Sequence, residues 1–504
     1  MSKDLMPVSS DNRDSKGLVP RWQEPFRPQF HFSPAKNWIN DPNGLVYFKG
    51  EYHLFFQYNP YGKEWGHMSW GHAVSTDLVH WRELPVAIPE TDHMIFSGCA
   101  LVDWRNVSGL GVEEEPPLLA FFTAFDEAAD RQTQHIAYSH DCGRTWMPYE
   151  GNPVIDLNKD HFRDPQVFWY EPDSHWVMVV ALPQDHKIQV YNSPNLLNWT
   201  LQSEFGPFGN TGGQWECPNL CEVPVDGHDH TRWVLKIDVD KNLIGEGSGA
   251  QYFVGDFDGK SFSHQADTDG PVARLVDVGA DFYAAITWSD LPSKHDSPVW
   301  IGWMSNHQSG KETPTDPWRG AMTVPRELFL WLERGAYILG QRPVPELETL
   351  RKQCRRHSDV QLSSGDVFEL GDLAPNGAAE VQFELKGCEK GQAGLALTDD
   401  KGDQVLIAFD GNKGEVFIDR RLVGAAFHEA YPAKHSCPVR EQGSIRFRIL
   451  VDASSIELFV EDGRYVITDA HFLKANKRLG LFAKDCDAAW SDLSVYELAS
   501  IHQG

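Results

Sequence analysis

No apolar run in the 504 residues approaches the roughly 20 needed to cross a bilayer as a helix, so no membrane role is expected. Basic charge is also short. Against 72 Asp and Glu stand 45 Lys and Arg, and a net charge of -27 repels nucleic acid and anionic membrane surfaces. The acids are scattered, so the charge reads mostly as a solvated surface, and a neutral or cationic ligand is favoured. The eight cysteines show no paired framework. Only Cys217 and Cys221 lie close together, with no second pair or His at ligand spacing, so neither a disulfide scaffold nor a metal site is expected. Free thiols fit a reducing compartment. The start, Met1-Ser2-Lys3-Asp4-Leu5-Met6-Pro7, lacks the charged and apolar segments of a secretory leader. A cytoplasmic protein with a disordered polar tail over residues 1–20 is the expectation.

What the chain has is aromatic residues and short strands. Its 18 Trp exceed the usual needs of a core and suit stacking against sugar rings, although most must simply pack in β-structure. Runs such as Tyr52-His53-Leu54-Phe55-Phe56-Gln57-Tyr58 and Trp176-Val177-Met178-Val179-Val180, separated by Gly, Pro, Asn and Asp, read as strands. A polar turn running into an aromatic recurs at Ser75 to Trp81, Ser139 to Trp146, Ser193 to Trp199 and Gly255 to Phe262, with the aromatics 65, 53 and 63 residues apart. That repeat length fits four-stranded propeller blades, and residues 21–340 hold roughly five of them. A proline-led short helix is expected at 341–356 as a linker. Longer alternating strands follow over 357–504, so the expected fold is all-β: a five-bladed propeller, then a β-sandwich.

Three segments set an acid just before a proline with an amide after it: Asn40-Asp41-Pro42-Asn43, Arg163-Asp164-Pro165-Gln166 and Glu216-Cys217-Pro218-Asn219. Acid-proline pairs are common turn formers, and Glu24-Pro25, Glu115-Pro116, Glu171-Pro172 and Asp316-Pro317 show that the dipeptide alone means little. Proline disfavours the helical region for its predecessor, so Asp41, Asp164 and Cys217 are expected in extended backbone at strand starts. Asp41, Ser97, Asp164, Glu216 and Asp281 are 56, 67, 52 and 65 residues apart, one per repeat. Equal phase in a propeller brings all five to one axial pocket.

Two carboxyl groups flanking a glycosidic bond are the usual minimum for its hydrolysis. Amides around Asp41 suit an ionised nucleophile, Arg163 would favour the charged form of Asp164, and Trp215 and Cys217 would give Glu216 an apolar setting that holds a proton for donation. Trp38, Trp65 and Phe96 could wall a sugar pocket, with Asn40, Gln57 and Ser97 holding hydroxyls; Gln57 could equally face solvent. An inverting arabinanase or xylosidase, or a sugar-binding propeller without turnover, would share the fold and the acids.

The segments Trp38-Ile39-Asn40-Asp41-Pro42-Asn43-Gly44, Phe96-Ser97-Gly98, Phe162-Arg163-Asp164-Pro165 and Trp215-Glu216-Cys217-Pro218 resemble the signature motifs of glycoside hydrolase family thirty-two, the β-fructofuranosidases. The likeness extends to Asp281-Phe282-Tyr283-Ala284 and to 451–460. It implies a five-bladed propeller with a β-sandwich and no cofactor. It also implies Asp41 as nucleophile, Glu216 as acid/base and Asp164 as transition-state stabiliser, with Asn40, Gln57, Trp65, Phe96, Ser97 and Arg163 binding a terminal fructosyl unit. Small carbohydrates such as sucrose and fructooligosaccharides are then the expected partners, and the sandwich leaves room for an oligomer contact. The family's Asp and Lys that accompany sucrose preference have no clear counterpart in Gly245-Glu246-Gly247-Ser248-Gly249.

Overall fold

The computed structural model describes residues 22–502 apart from 114, 265–273, 425, 441–442 and 475. The polar tail expected at 1–20 lies outside the described residues. Five sheets surround one axis, with innermost strands Asn37–Phe48, Met94–Val102, Arg163–Tyr170, Trp215–Pro224 and Tyr283–Thr287. Each inner strand packs on the next and the last packs on the first, so the ring of blades is closed. The seam is fastened by backbone: Ser289 N–H donates to Leu45 O, Tyr47 N–H to Ser289 O, and Trp318–Arg319 runs parallel beside Asn37 and Trp38. This is the five-bladed propeller that the repeat length implied.

Blade strands are buried on both faces, which explains why some read as unbroken apolar runs. In His175–Leu182, Val177, Val179 and Ala181 pack toward Leu235 and Ile237 of the fourth blade, while Met178, Val180 and Leu182 pack toward Leu119 and Phe121 of the second. The recurrent polar turns join the third and fourth strands of the first four blades. One side chain organises each: Asp77 accepts the N–H groups of Val79 and His80, Asp141 those of Arg144 and Thr145, Asn195 those of Leu197 and Asn198, and Asp258 those of Lys260 and Ser261. The fifth blade turns instead through Arg334 and Gly335, both at positive φ, between Arg326–Glu333 and Ala336–Pro343.

The expected linker helix over 341–356 is smaller than its sequence suggested. Gln341 and Arg342 still pair with Leu328 and Glu327 in the last blade, only Pro345–Leu350 forms a 3-10 turn, and Arg351–Arg356 is already a strand. Sheet pairing on both sides takes the residues that a longer helix would need. Beyond it, a seven-stranded and a six-stranded antiparallel sheet enclose a single core containing Phe383, Leu395, Ile407, Phe447, Leu458 and Trp490.

Buried charge joins the two halves. Asp452 and Glu457 of the sandwich hold His31 at 2.8 and 2.7 Å, and Arg326 of the last blade meets Glu457 at 2.7 Å and Asp277 at 3.2 Å. Asp281 belongs to this junction: its Oδ2 accepts from Arg420 at 2.8 Å and from Ala470 N–H, and its Oδ1 from Asn306. The expectation that Asp281 lines the axial pocket is therefore overturned. Spacing alone placed it two residues ahead of the position that faces the channel.

Candidate active site

All five inner strands slip register at the same height, between Ile39 and Pro42, Ile95 and Gly98, Arg163 and Gln166, Glu216 and Asn219, and Tyr283 and Ile286. In each bulge the inner strand advances three residues while its partner advances two, which turns side chains that a regular strand would alternate toward one mouth of the channel. The acids therefore do not share one phase. Glu216 opens its bulge, Asp164 is second in its own, and Asp41 and Ser97 are third in theirs; Tyr283 stands where Glu216 does.

The backbone differs from expectation as well. Asp164 and Cys217, expected to be extended before their prolines, have φ of 68° and 46°, in the left-handed region, as does Ala284 at 54° in the fifth bulge. A bulge supplies the bend, and hydrogen bonds hold it. Asp164 N–H donates to Thr123 Oγ1 at 3.0 Å, Cys217 N–H to Asp164 Oδ2 at 2.9 Å, and the buried Lys236 ammonium to Cys217 O at 2.9 Å while pairing with Asp238 at 2.6 Å. Strained backbone over-determined in this way is common where side chains must be aimed.

The result is a pocket of about 400 Å3 lined by the expected catalytic and sugar-binding residues, Trp38, Asn40, Asp41, Gln57, Trp65, Phe96, Ser97, Arg163, Asp164 and Glu216, but not by Asp281. Ser97 donates to Asp41 Oδ2 at 2.5 Å and Asn40 to Asp41 Oδ1 at 3.0 Å, with Asn40 itself held by the Trp38 indole N–H. The Cys217 thiol lies 3.6 Å from Asp41 Oδ2 and 3.5 Å from Asp164 Oδ2, between the two carboxylates. Gln57 does not face solvent. It is buried, and its amide donates to Asn43 Oδ1 and Ile95 O. Trp38 is buried too, leaving Trp65 as the exposed rim, edge-on to Phe96.

Glu216 is held between Arg163, which donates from Nε at 3.0 Å and Nη2 at 2.7 Å, and Tyr283, whose hydroxyl donates at 2.5 Å. This reverses the expected electrostatics. Burial pushes the Glu216 carboxyl up, but Arg163, His307 and the Tyr283 hydrogen bond outweigh it and bring it below its ordinary value. Asp164 is pushed up to about 7, chiefly by burial against the opposing pull of Arg163, with Glu216 and Asp41 adding their repulsion. The guanidinium adjacent to Asp164 in sequence serves Glu216 in space.

Tyr283, Trp303, Asn306, His307, Lys311, Gln132 and His161 were not singled out. Six of these line the pocket, and Tyr283 reaches it through its bond to Glu216. Tyr283 had a signal, the Asp281-Phe282-Tyr283-Ala284 segment. Of the others, Gln132 and Trp303 stand on strands of their blades and His161, Asn306, His307 and Lys311 between or beyond strands, and their approach depends on tertiary structure.

Converging carboxylates from three blades, one paired with a guanidinium and two left facing the cavity, define a propeller-fold glycoside hydrolase. Comparison with known proteins places it further. Residues 31–343 match the glycosyl hydrolases family 32 N-terminal domain and residues 346–497 the family 32 C-terminal domain. A levanase of Bacillus subtilis is 42% identical over 98% of this chain and 73% of its own length, and an extracellular exo-inulinase of Aspergillus ficuum is 39% identical over 89% of each chain. A fructofuranosidase of Schwanniomyces occidentalis, solved with fructose, superposes with a TM-score of 0.88 at 32% identity, covering 96% of this chain and all of that one. The chain belongs to glycosyl hydrolase family 32.

Proposed function

We propose that this enzyme releases terminal, non-reducing β-D-fructofuranosyl units from sucrose, short fructooligosaccharides and fructans with retention of anomeric configuration. The observation that carries the reading is the convergence of Asp41, Asp164 and Glu216 in one pocket, with Asp41 presented by Ser97 and Asn40 and Glu216 oriented by Arg163 and Tyr283. Asp41 attacks the anomeric carbon while Glu216 gives a proton to the departing oxygen. Water then resolves the fructosyl-enzyme ester as Glu216 takes its proton back. Asp164 hydrogen-bonds the fructosyl hydroxyls most strongly as oxocarbenium character develops. Asn40, Gln57, Trp65, Phe96, Ser97 and Arg163 bind the terminal unit. Some fructosyl passes to sugar acceptors in place of water.

Relatives named levanase, exo-inulinase and fructofuranosidase support the substrate class. A panel of sucrose, kestose, inulin and levan, scored for free fructose, tests it, and arabinose release instead would overturn it. Proton NMR of the first product decides retention: an inverted first product would remove Asp41 as nucleophile. Asp41→Asn and Glu216→Gln should each lower turnover by several orders of magnitude with the fold intact. Azide should partly restore Glu216→Ala but not Asp164→Ala.

The cytoplasmic location we propose rests on the unpaired thiols and stands against the extracellular exo-inulinases among the relatives. Fractionation of the producing cells decides between them. An oligomer built through the sandwich is tested by light scattering.

A further inference from the structure

The propeller channel has a second mouth. The inner strands run in one direction, and downstream of the catalytic residues they open into another cavity, of about 610 Å3, walled by Leu101 in the second blade, 166–169 in the third and 220–222 in the fourth. Five of the chain's indoles line it: Trp104, Trp169, Trp176, Trp233 and Trp288. Trp104 is 60% exposed, yet its N–H is fixed by Asp290 Oδ1 at 2.7 Å, and the other Asp290 oxygen accepts the Val102 N–H at 3.1 Å. Trp169 is fixed likewise, its N–H bonded to Glu171, its ring edge-to-face with Trp176 at 5.2 Å and beneath the Arg105 guanidinium at 4.9 Å.

An exposed indole whose polar edge is already bonded can offer a ligand only its apolar face, held in one orientation. The Trp104 ring packs against Phe48, with centroids 5.8 Å apart, which fixes its orientation further while most of it stays in water. Around it stand Glu171, Glu222, Asp290 and Asp296 against the single guanidinium of Arg105, a charge balance that repels anions. Flat apolar rings beside carboxylates that accept hydroxyl protons suit a neutral polyhydroxylated ligand: the C–H face of the sugar stacks on the indole and its hydroxyls donate to the acids. The volume lies in the range of ordinary ligand sites.

We propose that this far mouth is a second, non-catalytic site for uncharged oligosaccharides, specifically the fructooligosaccharides and fructans on which the catalytic pocket acts. Naming fructans as the ligand rests on the function proposed above. A polymer held there keeps its ends at a raised local concentration around the enzyme.

Calorimetric titration of nystose into the full-length Glu216→Gln protein, which cannot consume it, tests the proposal. Two equivalents are expected, falling to one when Trp104→Ala is added, and again with Asp290→Asn in its place. In the otherwise active protein, Trp104→Ala should leave sucrose hydrolysis unchanged, showing that the fold and the catalytic pocket are intact. A single equivalent in Glu216→Gln, or two that survive both added substitutions, overturns the second site. Absence of fructose release from any substrate overturns instead the reading of the catalytic pocket, because the second site is scored by stoichiometry and not by turnover.

Discussion

At the scale of single residues, the site holds three carboxyl groups and one guanidinium in a buried space, so the placement of protons decides the chemistry. With Arg163 and Tyr283 on Glu216, the carboxyls lifted to about 7, and so able to keep a proton near neutral pH, are Asp164 and the buried Asp238 that pairs with Lys236. Charge on Glu216 and charge on Asp164 repel each other, so a donor is available to the glycosidic oxygen only while the cluster keeps a proton. The sign follows: kcat/KM, which reports the free enzyme, should fall as pH rises through the region near 7. Tyr283→Phe removes a donor that stabilises the Glu216 charge, so the cluster binds its proton more tightly and the basic limb should move to higher pH. Loss of a hydrogen bond to a charged group, about 1.5–3 kcal/mol, predicts a ~10- to 100-fold drop in kcat/KM. A pH profile of the variant that overlays the parent would break the link between Tyr283 and Glu216. The identities of the three acids were legible in the sequence because proline and amide neighbours marked them. Their charge states were not, because Arg163 turns from its sequence neighbour Asp164 to Glu216 on another blade.

At the scale of elements, the in-phase bulge aims the site, and its tightest point is Gly98. A Cβ there would lie 1.9 Å from the carbonyl oxygen of Phe121 on the paired strand, where no side chain can move aside. Gly98→Ala must shift backbone, and overpacking of this kind is worth about 1–3 kcal/mol or more. A clear fall in Tm is expected. Turnover of sucrose should fall even at temperatures where the variant is folded, because Ser97, one residue away, donates to Asp41 at 2.5 Å. An unchanged Tm would mean that the two strands separate without penalty. Blade strands and their polar turns were legible because period-two patterning and Asx-type turns are local. Bulges were not: a slip of three residues against two is a property of a strand pair, and it moved Asp281 out of the channel and put Tyr283 beside Glu216. The contact of Cys388 and Cys486, with sulfurs 3.1 Å apart between two loops that each link the sandwich sheets, was invisible for the same reason, since 98 residues separate them.

At the scale of the whole molecule, propeller and sandwich meet through buried charge, and His31 is the group whose titration should control it. Burial opposes the charged imidazole, but its hydrogen bonds to Asp452 and Glu457 and their negative charge together raise it from 6.5 to about 9. The sequence concealed this, since alternation in Ser455–Val460 sends Ile456, Leu458 and Val460 into the sandwich core and leaves Glu457 on the side that would normally be solvated. That side is instead covered by Arg326 and His31. A group whose folded pKa exceeds its unfolded value adds stability that is fully present below the unfolded pKa and is lost as pH rises through the folded one. Stability from His31 should therefore be complete below about 6.5 and vanish as pH climbs through about 9, a loss of a few kcal/mol. Carboxylates do not cancel it, because Asp452 and Glu457 are both held below their ordinary values and stay charged across that window. His31→Gln keeps a hydrogen-bonding side chain but cannot titrate, so its Tm should be lower than the parent's at pH 6 and nearly level with it at pH 9.5. A parent Tm that is flat from pH 6.5 to 9, with His31→Gln lower by a constant amount, would show that the imidazole is buried neutral and that Arg326 alone compensates the two acids at the junction.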